Sequence, residues 1–359
     1  MIERLQRLRD RLAADALDGF IVARPENRRY MSGFTGTAGT ILITQRAAWF
    51  IADFRYVEQA KAQCIGYEVV PQGDTLLDTM EALLKTAGVK RLGFEQDYLT
   101  YGDVLAWRQL ETRIPGLQLV ATSQVVDTLR MVKDAGEVAA IERAAAVADA
   151  GFDFILGILR PGVKEADVAF ELEMFMRKRG ASAVSFETIV ASGWRSALPH
   201  GVASDKTIAS GELVTLDFGA VVDGYSSDIT RTVVVGTPTD EQKRVYQVVL
   251  DAQLRAIEAV AAGKTGKELD AVARDFLAQH QLGDAFGHSL GHGIGLEIHE
   301  GPRLSKVSED VLAPGMVVTV EPGVYLPGWG GVRIEDDLLV ESGGGRILTH
   351  SPKRDLISI

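Results

Sequence analysis

The chain has 359 residues, enough for two domains, with 46% hydrophobic and 24% charged residues, an ordinary soluble composition. Its formal net charge of −11 leaves no basic footprint for nucleic acid or an anionic membrane surface, and neither partner is expected. The single cysteine, Cys64 in "AKAQCIGYE", excludes an intrachain disulfide framework and a thiolate zinc cluster; with no histidine beside it, it reads as a partly buried, inert thiol.

The first segment, "MIERLQRLRDRLAADALDGF", spaces its charges along a helical pattern that ends near Gly19. It lacks the apolar core of about 7–15 residues that a signal peptide needs. No later stretch reaches the ~18 apolar residues of a membrane span, so a soluble cytoplasmic protein is expected. Next come the strand "GFIVAR", a loop "PENRRYMSGFTGTAGT", and strands "ILIT" and "AAWFIA". A helix from near Arg55, the strand "EVV", a helix near 75–87, "RLGFE", a helix near 101–112 and "LQLVAT" complete an α/β region. Within it, the glycine-rich "GFTGTAGT" at 33–40 reads as a turn or surface loop and does not match a dinucleotide fingerprint. The boundary falls near 128–132, just before a long helix, giving domains 1–130 and 131–359.

The second region carries a weak repeat. "GVKEADVAFELEMFMRKRG" (162–180) and "GKELDAVARDFLAQHQLG" (266–283) share a glycine start, Lys-Glu, an aspartate, an apolar helical stripe and a glycine stop. Each follows a long helix, 137–159 or 240–262, and each pair precedes β-rich sequence. Capping boxes pair Thr239 with Gln242 and Thr265 with Glu268. The "GKT" at 263–265 is no phosphate loop, because Glu258 stands where its first glycine belongs and a helix precedes it. The expected fold class is α+β: an α/β domain, then a domain of two similar halves with a site at their seam.

Carboxylates fall in two hairpins of this second domain. "ELVTLDFGAVVDGYSSDITRTVVVG" (212–236) folds about Asp223-Gly224, a type I′ dipeptide. That register sets Asp217 opposite Thr230 and Asp228 opposite Gly219, making Asp217 and Asp228 diagonal neighbours on one face. In "GMVVTVEPGVYLPGWGGVRIEDDLLVE" (315–341), a hairpin symmetric about Gly328 brings Glu321 opposite Glu335, although Pro322-Gly323 interrupts the strand. Three of the six histidines, His288, His292 and His299, lie in "GHSLGHGIGLEIHE" (287–300), and His200 lies in "ALPHGV". The glycines there oppose a helix, and His299-Glu300 is followed by Gly-Pro-Arg, so this is not the HExxH zinc motif. Four carboxylates and one imidazole make a hard, oxygen-rich set that suits two divalent ions of the Mn²⁺ or Co²⁺ type. Two such ions polarise a water and a carbonyl, the chemistry of hydrolysis.

The order Asp217, Asp228, His292, Glu321, Glu335 across 130–359 resembles the pita-bread metallopeptidases: methionine aminopeptidase, prolidase and aminopeptidase P. The preceding α/β domain is similar to the creatinase/prolidase-like domain of the latter two. Within it, "YMSGFTGTAGTILIT" followed by "DFRYVEQA" resembles aminopeptidase P. The resemblance implies a pita-bread catalytic fold, a homodimer and Xaa-Pro peptide substrates. It implies that Asp217 holds one metal, that Asp228 and Glu335 bridge both, and that His292 and Glu321 complete the second site. The metals would be Mn²⁺, with Co²⁺ or Zn²⁺ as alternatives. Glu321 would also take the proton from the attacking water. His288, His299 and His200 would position substrate and stabilise the tetrahedral intermediate, and Arg333 would orient the site. The expected activity is that of an Xaa-Pro aminopeptidase, with Xaa-Pro dipeptidase as the alternative. A metal-free binding or chaperone module ranks lower because the ligand set is complete, and a metal-independent creatinase-type amidinohydrolase would not need these carboxylates.

Overall fold

The computed structural model describes residues 2–359, and the chain divides into two compact units, one ending at Arg130 and the other spanning Met131–Ile359. No helix among the described residues is long and apolar enough to cross a membrane.

The first unit begins with helix α1 (Ile2–Ala14), whose leucines at 5, 8 and 12 recur at helical spacing and are buried. Strand β1 (Gly19–Val22) follows, then helix α2 (Pro25–Ser32), strands β2 (Thr40–Thr44) and β3 (Ala48–Ala52), helix α3 (Val57–Gln63) and strand β4 (Glu68–Pro71). Helix α4 (Leu76–Ala87), strand β5 (Arg91–Glu95), helices α5 (Tyr101–Trp107) and α6 (Gln109–Arg113), strand β6 (Gln118–Thr122) and helix α7 (Val125–Met131) complete the series. The strands form one mixed sheet in the order β4-β3-β2-β1-β5-β6, with parallel pairs β3/β4, β1/β5 and β5/β6. Ile21, Leu42 and Phe94 of the sheet pack on Met80, Leu84, Trp107 and Leu110 of the helices. The stretch expected to be a loop from Pro25 is half helix. Proline occupies the first turn of α2, where its missing N–H costs nothing, and Gly33 ends the helix at φ 74°.

In the second unit, long helices α8 (Ala135–Leu156) and α9 (Glu165–Lys178) precede strands β7 (Ala183–Val184), β8 (Ile189–Ser192), β9 (Leu213–Phe218), β10 (Ala220–Val222), β11 (Tyr225–Ser226) and β12 (Ile229–Val234). The plan repeats with α10 (Asp240–Ala259) and α11 (Gly266–Gln279), then β13 (Gly291–Gly293), β14 (Glu300–Leu304), β15 (Val317–Val320), β16 (Gly323–Leu326), β17 (Gly330–Arg333), β18 (Asp336–Glu341) and β19 (Gly344–Ile347). Both capping boxes of the second helix pair form as read from the sequence. Each half buries its own core. Phe152, Leu172 and Met176 meet Val214, Leu216 and Val233 in one, and Val249, Leu269 and Leu277 meet Val318, Val320 and Leu338 in the other.

The two hairpins share a feature that positions the site. In the first, partner numbers sum to 447 from Val222↔Tyr225 to Val234↔Leu213, and the turn residues Asp223 and Gly224 have φ of 51° and 78°. In the second, they sum to 656 from Leu326↔Gly330 through Val317↔Leu339. Yet each ladder changes sheet midway. β9 and β12 lie in a sheet with β8, whereas β10 pairs with β11 and β7; β15 and β18 lie with β13, β14 and β19, whereas β16 and β17 pair alone. Asp228, Glu321 and Glu335 sit in these gaps, and Asp217 lies one step away on β9.

Candidate metal centre

A gap in a β-ladder frees backbone groups that must find other partners. Here two of them reach across from one hairpin to the other, and a third reaches the glycine-rich stretch. Glu335 N donates to Thr230 O at 3.1 Å, Asp228 N donates to Asp337 Oδ2 at 3.0 Å, and Glu321 N donates to Leu290 O at 2.8 Å. Thr230, opposite Asp217 in the register, accepts from Arg333 Nε at 3.1 Å and donates its hydroxyl to Glu335 Oε2 at 2.6 Å. The carboxylates are thus set by main chain and threonine hydroxyls, and they project into a common, buried space.

His292 enters from the glycine-rich stretch. Its Nδ1 lies 3.0 Å from Gly293 O, and because a carbonyl only accepts, the proton must sit on Nδ1. The bare Nε2 faces Asp228 Oδ2 at 3.6 Å and Glu321 Oε1 at 3.5 Å. That tautomer is the one a metal-ligating imidazole requires. The backbone can come this close because of its glycines: a Cβ on Gly291 would lie 2.0 Å from Thr319 O, and one on Gly293 would lie 2.1 Å from Gly301 O.

Asp228, His292 and Glu335 offer ligand atoms that all lie within 4.8 Å of one another among the described residues. Glu321 borders this group through His292, and its side chain is 16% exposed. Asp217 spends Oδ2 on the Arg333 guanidinium, 2.5 Å from Nη2, and keeps Oδ1. Asp217 Oδ1 and Asp228 Oδ1 are buried without a hydrogen-bond partner. Such oxygens are costly unless a cation satisfies them. Burial, then Glu335, Asp217, Asp337 and Glu321, hold the Asp228 carboxyl well above its ordinary pKa. Burial, then Glu321 and Asp217, do the same to Glu335. Burial also pushes Glu321 up to about 8, against the opposing pull of Arg333 and with Asp217 adding to the rise. Burial, aided by His299, brings His292 down to about 4, leaving a neutral ligand. Acceptors crowded into low dielectric, with bare oxygens and a bare imidazole nitrogen, fit divalent cations.

The remaining residues singled out in the sequence divide into two groups. His288 Nδ1 donates to Ser289 O at 2.8 Å, and its Nε2 lies 2.9 Å from Tyr325 Oη, which in turn accepts from Arg333 Nη1 at 2.6 Å. Both His288 nitrogens are therefore engaged within the protein. Burial, then Arg333, lowers its pKa to about 4. His299 and His200 are exposed, with the His299 ring edge-on to His292 at a centroid distance of 4.4 Å. The chain His288–Tyr325–Arg333–Asp217 was not read from the sequence as a unit. Its signal was parity: Tyr325 pairs with Gly331 in the 656 register and shares the odd-numbered face with Glu321 and Arg333. Asp337, which orients the Asp228 backbone, was also missed.

Residues 139–342 match metallopeptidase family M24, and residues 4–132 match the creatinase/prolidase N-terminal domain. The chain belongs to metallopeptidase family M24. Its second unit has the pita-bread fold of that family, and the family's members are peptidases that use divalent metals. Across its full length it is similar to a solved structure titled Xaa-Pro dipeptidase from Bacillus anthracis, with 51% identity, a TM-score of 0.97 and coverage of 100% of this chain and 99% of that one. It is 40% identical to the Xaa-Pro dipeptidase of Pyrococcus horikoshii, over 99% of both chains. It is also 40% identical to the structure of an X-Pro aminopeptidase from Thermotoga maritima, with a TM-score of 0.91 and coverage of 99% and 100%. The 51% identity to a dipeptidase exceeds the 40% to the aminopeptidase, and the likeness therefore favours the dipeptidase alternative over the aminopeptidase expected from the sequence.

Proposed function

We propose that this M24 peptidase is an Xaa-Pro dipeptidase, with residues 1–130 as its N-terminal domain and 131–359 as its catalytic domain. What supports the choice of substrate is end-to-end likeness, at 51% identity, to the Bacillus anthracis Xaa-Pro dipeptidase. Asp217, Asp228, His292, Glu321 and Glu335 would hold two divalent ions, with Mn²⁺ the first choice for so oxygen-rich a set. When bound, the ions supply Lewis-acid polarisation of the scissile carbonyl and acidify a water. Glu321, at the more open edge of the cluster, takes a proton from the attacking water and returns it to the leaving proline nitrogen. His299 and His200, exposed beside the cluster, orient the peptide. Arg333 keeps Asp217 in place, and Tyr325 couples Arg333 to His288.

Replacing Tyr325 with phenylalanine is expected to lower kcat by about 10-fold with little change in KM, the size of effect that loss of a supporting hydrogen bond produces. Steady-state kinetics on an Xaa-Pro dipeptide checks this.

A second reading, Xaa-Pro aminopeptidase, draws support from the full-length likeness to the Thermotoga maritima enzyme. Incubating Mn²⁺-loaded protein with an Xaa-Pro dipeptide and an Xaa-Pro-Yaa tripeptide separates the two. Faster cleavage of the dipeptide is expected, and a strong preference for the tripeptide would reverse the assignment. The protein is proposed to work as a homodimer, which light scattering in solution tests.

A further inference from the structure

Glu165, the first residue of α9, has a fully buried side chain, and it has no part in the metal cluster. A buried glutamate persists only where donors satisfy it. Here they come from the two ends of one loop. Its Oε1 accepts from Ser192 N and Ser192 Oγ, both at 2.7 Å. Its Oε2 accepts from Ser204 N at 3.2 Å, from Ser204 Oγ at 2.7 Å and from the Arg195 guanidinium. Arg195 also donates to Val202 O at 2.8 Å, and Lys206 Nζ donates to Ser192 Oγ at 2.8 Å and Glu212 Oε2 at 2.6 Å. One carboxylate thus gathers both ends of the 193–203 segment.

That segment carries His200, together with exposed Trp194 and Leu198. Its first half is pinned to β17 by Gly331 N, which donates to Ser196 Oγ at 2.8 Å. The second half, with His200, is fastened through Ser204, Arg195 and a bridge from Val202 to Ile189. Ile189 is also the strand partner of Asp217, and β17 carries Arg333, which holds the Asp217 carboxylate, so both halves of the segment are anchored to the strands that carry the site.

We infer that Glu165 is a positioning residue: its carboxylate closes the neck of the 193–203 loop and thereby sets where His200 meets the peptide. The functional half of this statement rests on the reading of His200 as a substrate-facing group. The structural half does not.

The test uses the full-length, metal-loaded protein with E165Q, the milder S204A, H200A and the double variants. Hydrogen exchange should show the 193–203 amides opening about 10-fold more readily in E165Q and S204A, with β9 and β12 unchanged. On an Xaa-Pro dipeptide, E165Q should lose about 10-fold in kcat/KM, as misplacement of an orienting group does, with the loss falling on KM more than on kcat. Combined with H200A, neither variant should lose anything further, because both act through the same imidazole. Unchanged exchange in the loop would overturn the inference whatever the activity, and so would full additivity with H200A. Should H200A alone leave cleavage intact, the substrate role of His200 fails, and the exchange measurement still decides whether Glu165 closes the neck.

Discussion

Replacing Asp228 with alanine is expected to abolish metal binding and peptide cleavage together. Asp228 is the residue where the most forces converge. It shares the tight group with His292 and Glu335, one of its oxygens is buried without a partner, and four other carboxylates raise its pKa after burial. Activity should fall by well over the 10- to 100-fold that loss of an outer partner costs, with metal content measured on the same sample. A second consequence separates this outcome from misfolding. Removing one of several mutually repelling carboxylates relieves the metal-free protein, so the D228A variant should melt at a higher temperature than chelated wild type. A variant that kept its metal and its activity would refute the site.

The second large effect is a pH dependence that appears only when the metal is removed. Glu321 is pushed up to about 8, and Asp228 and Glu335 are held well above the ordinary range. Folded, metal-free protein therefore keeps protons that the unfolded chain has lost by about pH 5. The stability they contribute is present at low pH and is lost as pH rises through the folded-state values. His288 and His292, both brought down to about 4, act the other way: their contribution is present above the usual histidine value and is lost as pH falls. Well above pH 6.5 the histidines are neutral in the unfolded chain too, so towards pH 8 the carboxylates set the slope, at roughly 1.4 kcal/mol per pH unit for each proton released. Urea denaturation of chelated protein should show its midpoint falling across that window, whereas Mn²⁺-loaded protein, with its carboxylates neutralised, should show no such fall. A chelated protein equally stable at pH 6.5 and at pH 8 would contradict the crowding of charge.

Much of the centre was legible because β-ladders obey arithmetic. Once Asp223-Gly224 was taken as the turn, Asp217 and Thr230 had to face each other, and they do. The same counting about Gly328 survived the proline at 322, because the chain changes sheet there and the register resumes on the far side. What escaped depends on contacts between segments far apart in sequence. Asp337 became important only when Asp228 lost its ladder partner, and Glu165 only when the 192–204 loop folded back on α9. The contact of His288 Nε2 with Tyr325 Oη, 37 residues away, is of the same kind. Helix α2 was missed for a simpler reason: a glycine-rich run directly after it masked the Pro25 and Gly33 signals at its two ends.

The glycines of "GHSLGHGIG" bear on how this enzyme could be redirected to new peptides. At positions 291 and 293 even a methyl group would overlap a carbonyl oxygen of the neighbouring strand. Variation there would not tune selectivity; it would dislodge the imidazole of His292. A mutational library aimed at substrate preference should leave these positions fixed and draw its diversity from positions 194 and 198 of the 193–203 loop. There Trp194 and Leu198 are exposed, and a change in side chain leaves the ligand-bearing backbone untouched.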